Sequence, residues 1–475
     1  MDLDFATASQ LTRALRERTL SGRELIDHIL ARVDQKNGDL NAIVAFDLDR
    51  ARAAADTADA ATARSEATGP LHGLPMTVKD VWETEGLGTT SGAPELKDHV
   101  PGTDALAVGR LKAAGAIIFG KTTTPLYAGD FQTFNNPWDT SRTAGGPSGG
   151  AAAAVAVGLT PLELGSDIGG SIQIPAHFNG VYGLKPSWGV VPSRGHIPGP
   201  PGSLLETDVN CNGPLARSLE DLRLALGVVA APVPEDAPGW RLELDAGAVI
   251  DDVRALRIAT VFDERSDLLP LGRDVRASLE TFAARIADAG LRVDAVALPV
   301  PLADGMRSWQ ELVCPIFGMG LPDEMFDSLT ELERFPGDDP ALATGRALTS
   351  RYRTWARAND LRQRHGAWAT FFGHYDVALA PVMPSAAFPH DTDRPLGDRL
   401  LDVDGVAVQS VVATAWCGAI GSVLLPVVAL PTGPTPAGLP VGIQVIGPFL
   451  SDLRLLQIAS PLDAAAGPGF TPPPH

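Results

Sequence analysis

The chain has 475 residues, 45% of them hydrophobic and 20% charged, a balance typical of a globular protein with a large core. Its formal net charge of −19 disfavours electrostatic binding to nucleic acid or to an anionic membrane. The three cysteines, Cys211, Cys314 and Cys417, are far apart, which argues against a disulfide framework and a clustered zinc site. We therefore expect a cytoplasmic protein that binds neither nucleic acid nor membranes.

The N-terminal part, residues 1–65, is predicted to be helical. Leucine, isoleucine and valine recur at helical spacing over 7–34, and Ser21 with Glu24 forms a capping box. No signal-peptide core is present, and apolar runs such as 151–157 are too short to cross a bilayer. A capped helix is also expected between Thr103 and Gly115.

Residues 70–220 contain the segments that point to chemistry. An apolar, strand-like run over 72–80 includes Lys79, although a lysine at a strand end is more often a solvated charge. Two glycine-rich turns, 145–150 and 165–171, flank an alanine-rich helix and a short apolar strand. Clustered glycines let several backbone N–H groups point at one spot. At Ser171 a hydroxyl therefore lies beside backbone donors, as acyl transfer requires.

The rest of the chain alternates strand and helix signals over 256–296 and again from 423, which predicts an α/β fold. No proline-rich or charged linker divides the chain, so we expect one domain over 1–475. Between 300 and 400 the pattern loosens into helical stretches with many aromatic and methionine side chains. Such side chains suit a core and also a variable, apolar substrate pocket. They are Trp309, Phe317, Met319, Met325, Phe326, Phe335, Trp355, Trp368, Phe371 and Phe372.

Several familiar motifs are absent or weak. Residues 146–150 match G-x-S-x-G, but a turn-rich loop precedes them where a nucleophile elbow needs a strand. None of the later histidines lies in a sequence context that marks it as the catalytic histidine such an elbow needs. There is no Walker motif, no dinucleotide-binding glycine motif and no H-E-x-x-H.

The Lys79 segment, the turn GGPSGG and the segment GSDIGGSIQIPA together resemble the amidase signature family of serine hydrolases. The resemblance extends to the N-terminal helices, to 180–186 and to 439–447, and is weakest over 230–400. It implies an amidase-signature fold, with a large, mixed and mostly parallel β-sheet covered by helices on both faces. It implies no metal and no organic cofactor.

The family uses a lysine, a bridging serine in a cis peptide and a nucleophilic serine. The resemblance therefore implies Lys79 as the base and Ser171 as the nucleophile. It also implies an oxyanion hole built from the backbone N–H groups of Ile168, Gly169, Gly170 and Ser171. Asp167 is expected to hold this turn in shape rather than to act as an acid or base.

Two positions depart from the family pattern. The bridging serine falls on Pro147, which has no hydroxyl but tolerates a cis peptide far better than other residues. We therefore predict a cis Gly146–Pro147 bond. Either Ser148 or a water replaces the missing hydroxyl, or proton delivery to the leaving group is weakened, which would favour esters, anilides and aryl carbamates. Gln173 stands where an arginine is common.

These features predict a serine hydrolase that cleaves a small, largely apolar amide, or a related anilide, carbamate or ester, through an acyl-enzyme. Two alternatives stay open. One is the A-type subunit of a tRNA-dependent amidotransferase, which would need partner subunits. The other is a catalytically weakened homologue that acts as a scaffold or binder. The sequence leaves the natural substrate and the oligomeric state, a homodimer included, undecided.

Overall fold

The computed structural model describes residues 1–66, 68–126, 134–197, 201–204, 206–262, 269–318, 324, 327, 364–394 and 398–474. Part of the predicted substrate-pocket region lies outside these residues. The side chain of Phe317 is also outside the description. Five of the aromatic and methionine residues predicted there lie outside the described residues: Met319, Met325, Phe326, Phe335 and Trp355. The described parts of that region are helical over Leu302–Gly318 and over 364–371.

The described helices alternate with strands along the chain. The helices are α1 Ala8–Arg16, α2 Gly22–Leu40, α3 Leu48–Ala63, α4 Leu106–Ala113, α5 Gly149–Ala156, α6 Gln173–Asn179, α7 Leu219–Val229, α8 Arg273–Asp288, α9 Leu302–Gly318, α10 Ala415–Ser422 and α11 Asp452–Ala466. The strands are β1 Ile43–Phe46, β2 Pro75–Lys79, β3 Ile117–Thr122, β4 Asn135–Asn136, β5 Asp139–Thr143, β6 Leu162–Asp167, β7 Tyr182–Lys185, β8 Cys211–Ala216, β9 Arg257–Thr260, β10 Arg292–Ala295, β11 Val377–Pro381, β12 Leu400–Val403, β13 Val406–Gln409, β14 Val427–Pro434 and β15 Pro440–Ile446. The described residues also contain three short 3₁₀ helices, at Pro94–Leu96, Val253–Ala255 and Val412–Thr414.

One sheet of eleven strands organises the described chain, in the order β1-β3-β2-β6-β8-β7-β14-β15-β11-β9-β10. Its parallel pairs are β3 with β2, β2 with β6, β11 with β9, and β9 with β10. The pairs between β6 and β11 are antiparallel, as is β1 with β3. The mixed α/β architecture is confirmed. Parallel pairing holds toward the two ends of the sheet and not in its middle.

The N-terminal helices begin as their sequences predict. Ser21 caps α2 in a capping box with Glu24, and Thr7 with Gln10 does the same for α1. Their leucine and isoleucine side chains are buried in the main core. The predicted helix at Thr103 begins only at Leu106, because the Asp104 carboxylate accepts hydrogen bonds from the Glu85 N–H and the Lys112 ammonium instead of capping.

The fold brings the two chemical segments to one edge of the sheet. Strands β2 and β6 are parallel neighbours, with Thr77 opposite Glu163, so their carboxyl ends, Lys79 and Asp167, meet at the same edge. Helix α5 packs closely behind them. A Cβ atom on Gly150 would lie 2.7 Å from the Thr123 carbonyl oxygen, so the glycine permits this approach.

No helix in the described ranges combines the length and the apolar character needed to span a bilayer.

Candidate active site

Lys79 is a fully buried amine at the end of β2. Its Nζ lies 3.0 Å from the Ser166 hydroxyl oxygen and donates a hydrogen bond to it. Burial lowers the pKa of Lys79 to about 7, because an ammonium loses its hydration, while the Asp167 and Glu163 carboxylates act in the opposite direction. A large neutral fraction is therefore available near pH 7, as a general base requires.

Glu163 lies in the same buried layer. Its carboxyl oxygens accept hydrogen bonds from the Thr77 hydroxyl and, at 3.1 Å, from the Thr122 hydroxyl. Burial raises the pKa of Glu163 to about 8 despite these bonds. Burial therefore disfavours the charged form of both Glu163 and Lys79 in this layer.

Ser166 is the residue that sequence reasoning missed. It lies on β6, 87 residues after Lys79 along the chain, and its side chain is buried. The motif GSDIGGS contains this serine directly before Asp167, but the neighbouring sequence does not indicate that its hydroxyl faces Lys79. Only the pairing of β2 with β6 brings the two side chains together.

The first glycine turn packs against the second. The Gly146–Pro147 bond is cis, as predicted. The Ser148 hydroxyl donates to the Ser166 carbonyl oxygen at 3.3 Å, and the Ser148 N–H donates to the Ser171 carbonyl oxygen at 3.2 Å. In this arrangement Ser166, not Ser148, contacts the lysine, so a bridging role for Ser148 stays a prediction.

Asp167 holds the second turn through four hydrogen bonds. Its Oδ1 accepts the Gly170 N–H at 2.7 Å, and its Oδ2 accepts the Ile172 N–H at 2.8 Å. Oδ2 also accepts the backbone N–H of Gln173 at 3.3 Å and its side-chain Nε2 at 3.2 Å. These contacts are those expected of a residue that shapes the turn.

The same contacts correct one predicted oxyanion donor. Gly170 donates its N–H to Asp167 and is therefore not free for a substrate oxygen. Gly170 has φ of +112°, and a Cβ atom there would lie 2.8 Å from the Cys417 Cβ, so this turn requires glycine. Among the described residues, no acceptor engages the N–H of Ile168, Gly169 or Ser171.

The predicted nucleophile lies beside these donors. Ser171 is only 5% exposed, and in the described part of the chain its hydroxyl donates no hydrogen bond. The N–H groups of Ile168, Gly169 and Ser171 together with this hydroxyl form the combination that acyl transfer uses.

An apolar cluster covers the turn on the side of α9. Trp309 donates its indole N–H to the Ile168 carbonyl oxygen at 2.6 Å. Buried Val209, Leu312 and Val313 pack there with four partly buried side chains, which are Ile168, Trp309, Ile316 and Leu424. The described part of the predicted substrate-pocket region thus contacts the turn that carries Ser171.

His196 is a further buried group near Lys79 that the sequence did not single out. Burial and the nearby Lys79 ammonium lower the pKa of His196 to about 3. It is therefore neutral at working pH. Within the described ranges, no group of three or more His, Cys, Asp or Glu side chains is arranged to hold a metal ion.

Asp167→Asn is expected to loosen the turn and lower activity. The amide nitrogen would face an N–H donor where a carboxylate oxygen now accepts, which costs about 1–3 kcal/mol of unfolding free energy. Urea denaturation measures that loss, and kcat on the best substrate measures the activity. An unchanged unfolding free energy would show that these four hydrogen bonds do not hold the turn.

The chain is similar in sequence and in fold to known proteins. The model of the family described as Amidase matches residues 24–456. The A-type subunit of the glutamyl-tRNA(Gln) amidotransferase of Anaeromyxobacter sp. (strain K) is 34% identical over 96% of this chain and 95% of the relative. Among solved structures, an inhibitor-bound protein from a vestigial complex related to the origins of an s-triazine catabolic enzyme has a TM-score of 0.81 at 27% identity, covering 98% of this chain and 100% of that one. A bacterial aryl acylamidase of the amidase signature family shares the fold, with a TM-score of 0.80 at 23% identity over 98% of this chain and 97% of that one.

Proposed function

Because the chain belongs to the amidase family, we propose that it is a serine hydrolase that cleaves the C–N bond of a small, uncharged amide. One observation carries the proposal. The buried Lys79 amine, with its pKa near 7, contacts Ser166 beside the turn that ends at Ser171.

The reaction would proceed in two steps. Neutral Lys79, whose amine contacts the Ser166 hydroxyl, accepts the Ser171 proton. Ser171 Oγ attacks the substrate carbonyl carbon, and the N–H groups of Ile168 and Gly169 stabilise the oxyanion. The amine leaves with the proton returned by Lys79, and water then hydrolyses the acyl-enzyme.

Two features favour an uncharged acyl group. Gln173 stands where the family commonly has an arginine, and its side-chain amide donates to Asp167 within the turn. This position therefore supplies no cation for a substrate carboxylate. The apolar cluster around Ile168 and Trp309 offers hydrophobic contact instead.

The purified chain alone tests this proposal. We expect turnover of a short apolar amide and of its anilide and aryl ester, and much weaker release of ammonia from L-glutamine. Ser171→Ala is the control for contaminating hydrolases. Absence of turnover on every substrate, with no labelling of Ser171 by a fluorophosphonate, would contradict the proposal and would favour a scaffold or binder.

A second candidate is the A-type subunit of a tRNA-dependent amidotransferase. The curated relatives with this function match nearly the whole chain, at 31–34% identity in several organisms. Such a subunit would deliver ammonia to a glutamyl-tRNA only with its partner subunits. If glutamine is the preferred amide, and ammonia release rises when an amidotransferase's other subunits are added, this candidate is favoured over the hydrolase.

Pro147→Ser tests the consequence of the missing bridging hydroxyl. A serine there would help to protonate a poor leaving group, so we expect alkyl-amide turnover to rise by about tenfold while aryl-ester turnover changes little. The ratio of the two kcat/KM values is the measurement. An unchanged ratio in a folded variant would show that the wild-type chain does not lack this relay.

A further inference from the structure

The peptide between Ile168 and Gly169 is held from one side by an indole ring. Trp309 Nε1–H donates to the Ile168 carbonyl oxygen at 2.6 Å. In a trans peptide the N–H points opposite to the C=O of the same unit. The Gly169 N–H therefore points away from Trp309.

The ring has little freedom to leave this position. A Cβ atom on Gly169 would lie 2.4 Å from Trp309 Cζ2, so the indole lies directly against the turn's backbone. On the α10 side, a Cβ atom on Gly418 would lie 3.2 Å from the same ring. Two glycines thus let the indole fit tightly between the turn and α10.

This placement matters because the number of oxyanion donors is small. Gly170 donates its N–H to Asp167, which leaves the N–H groups of Ile168, Gly169 and Ser171. A hydrogen bond to a carbonyl polarises its peptide unit and strengthens the N–H as a donor. Of the three, only the Gly169 N–H belongs to the peptide that Trp309 contacts.

We propose that Trp309 is a positioning residue that orients and polarises the Ile168–Gly169 peptide so that the Gly169 N–H stabilises the oxyanion. This role rests on the proposed hydrolase function. Helix α9 also supplies Leu312 and Val313 to the apolar cluster around Ile168. The same helix would therefore both contact the acyl group and set the geometry of the oxyanion hole.

The test removes the indole N–H and keeps an aromatic side chain. Trp309→Phe is the first variant, and 3-benzothienylalanine at position 309 is the second, because it keeps the indole shape without an N–H. We expect kcat to fall by about 10- to 100-fold with KM within about twofold of wild type, since the lost stabilisation acts on the transition state. Affinity for a tetrahedral boronate inhibitor should fall by the same factor, and affinity for a planar substrate analogue should not.

Trp416→Phe is the matched control. Trp416 is also a buried tryptophan, on α10, but its indole N–H has no hydrogen-bond partner among the described residues. We expect wild-type kcat and boronate affinity in this variant.

The outcomes distinguish a failure of the proposed hydrolase function from a failure of the proposed role of Trp309. No Ser171-dependent turnover in the wild-type chain would overturn the proposed function and this role with it. Normal wild-type turnover would overturn the role of Trp309 alone in any of three cases: if the benzothienyl variant keeps wild-type kcat and boronate affinity, if it changes only KM, or if Trp416→Phe loses as much activity.

Discussion

Ser171→Ala is expected to lower kcat on amide and ester substrates by at least about 10³-fold. The variant keeps the Ile168 and Gly169 donors but has no oxygen to form the acyl-enzyme. Residual hydrolysis would come from binding and the oxyanion hole alone. Steady-state kinetics on the best substrate, together with loss of fluorophosphonate labelling, measure the effect.

Ser422→Ala is a matched control for this variant. Ser422 is fully buried at the end of α10, and its hydroxyl donates to the Ala419 carbonyl oxygen within the same helix. We expect near wild-type kcat there. If Ser171→Ala retained wild-type turnover in a folded protein, another nucleophile would be responsible.

Lys79→Met is the second change with a large expected effect. Methionine keeps the long apolar stem but cannot accept a proton, so kcat should fall by about 10²- to 10⁴-fold. The pH profile identifies the cause. In the wild-type chain, kcat/KM should rise with pH through about 7, because only the neutral amine of Lys79 acts as a base. That rise should disappear in Lys79→Met.

Lys121→Met is the control for removing a buried lysine. Lys121 lies on the neighbouring strand β3, fully buried, where burial lowers its pKa to about 8 and its ammonium donates to the Trp82 carbonyl and two threonine hydroxyls. This variant should be less stable but keep the activity rise near pH 7. If its profile lost that rise while Lys79→Met kept it, the base would be Lys121.

The free energy of unfolding should depend on pH through the same titration of Lys79. Its folded-state pKa of about 7 lies below the value of 10.5 for an unperturbed lysine. Between these values the native chain binds fewer protons than the unfolded chain, so Lys79 makes stability rise with pH by about 1.4 kcal/mol per unit. In Lys79→Met this contribution to the slope should be missing.

The parts of the site that depend on local sequence were predictable. Lys79 ends strand β2 and Ser171 ends a glycine-rich turn, as the local sequence indicates. Asp167 binds backbone N–H groups of residues three to six positions later, a contact that local geometry suggests. The cis Gly146–Pro147 bond was predictable because a peptide bond to proline tolerates the cis form far better than other peptide bonds do.

The contacts that depend on distant pairing were not predictable. Ser166 meets Lys79 only because β2 pairs with β6, and Trp309 meets Ile168 across 141 residues of chain. The sequence motif also predicts the Gly170 N–H as an oxyanion donor, because it lies in the same turn. The motif alone does not show that the Asp167 carboxylate accepts this N–H. The antiparallel pairing in the middle of the sheet was not predictable either, because it depends on which strands become neighbours.

The most direct test of the central claim is the rate at which a fluorophosphonate labels Ser171, measured from about pH 5 to pH 9 in the wild-type chain and in Lys79→Met. We predict a wild-type rate that rises about tenfold per pH unit below pH 7 and then levels off, with a rate in Lys79→Met at least about 100-fold lower and without that rise. Equal rates and equal pH profiles in the two proteins would contradict it.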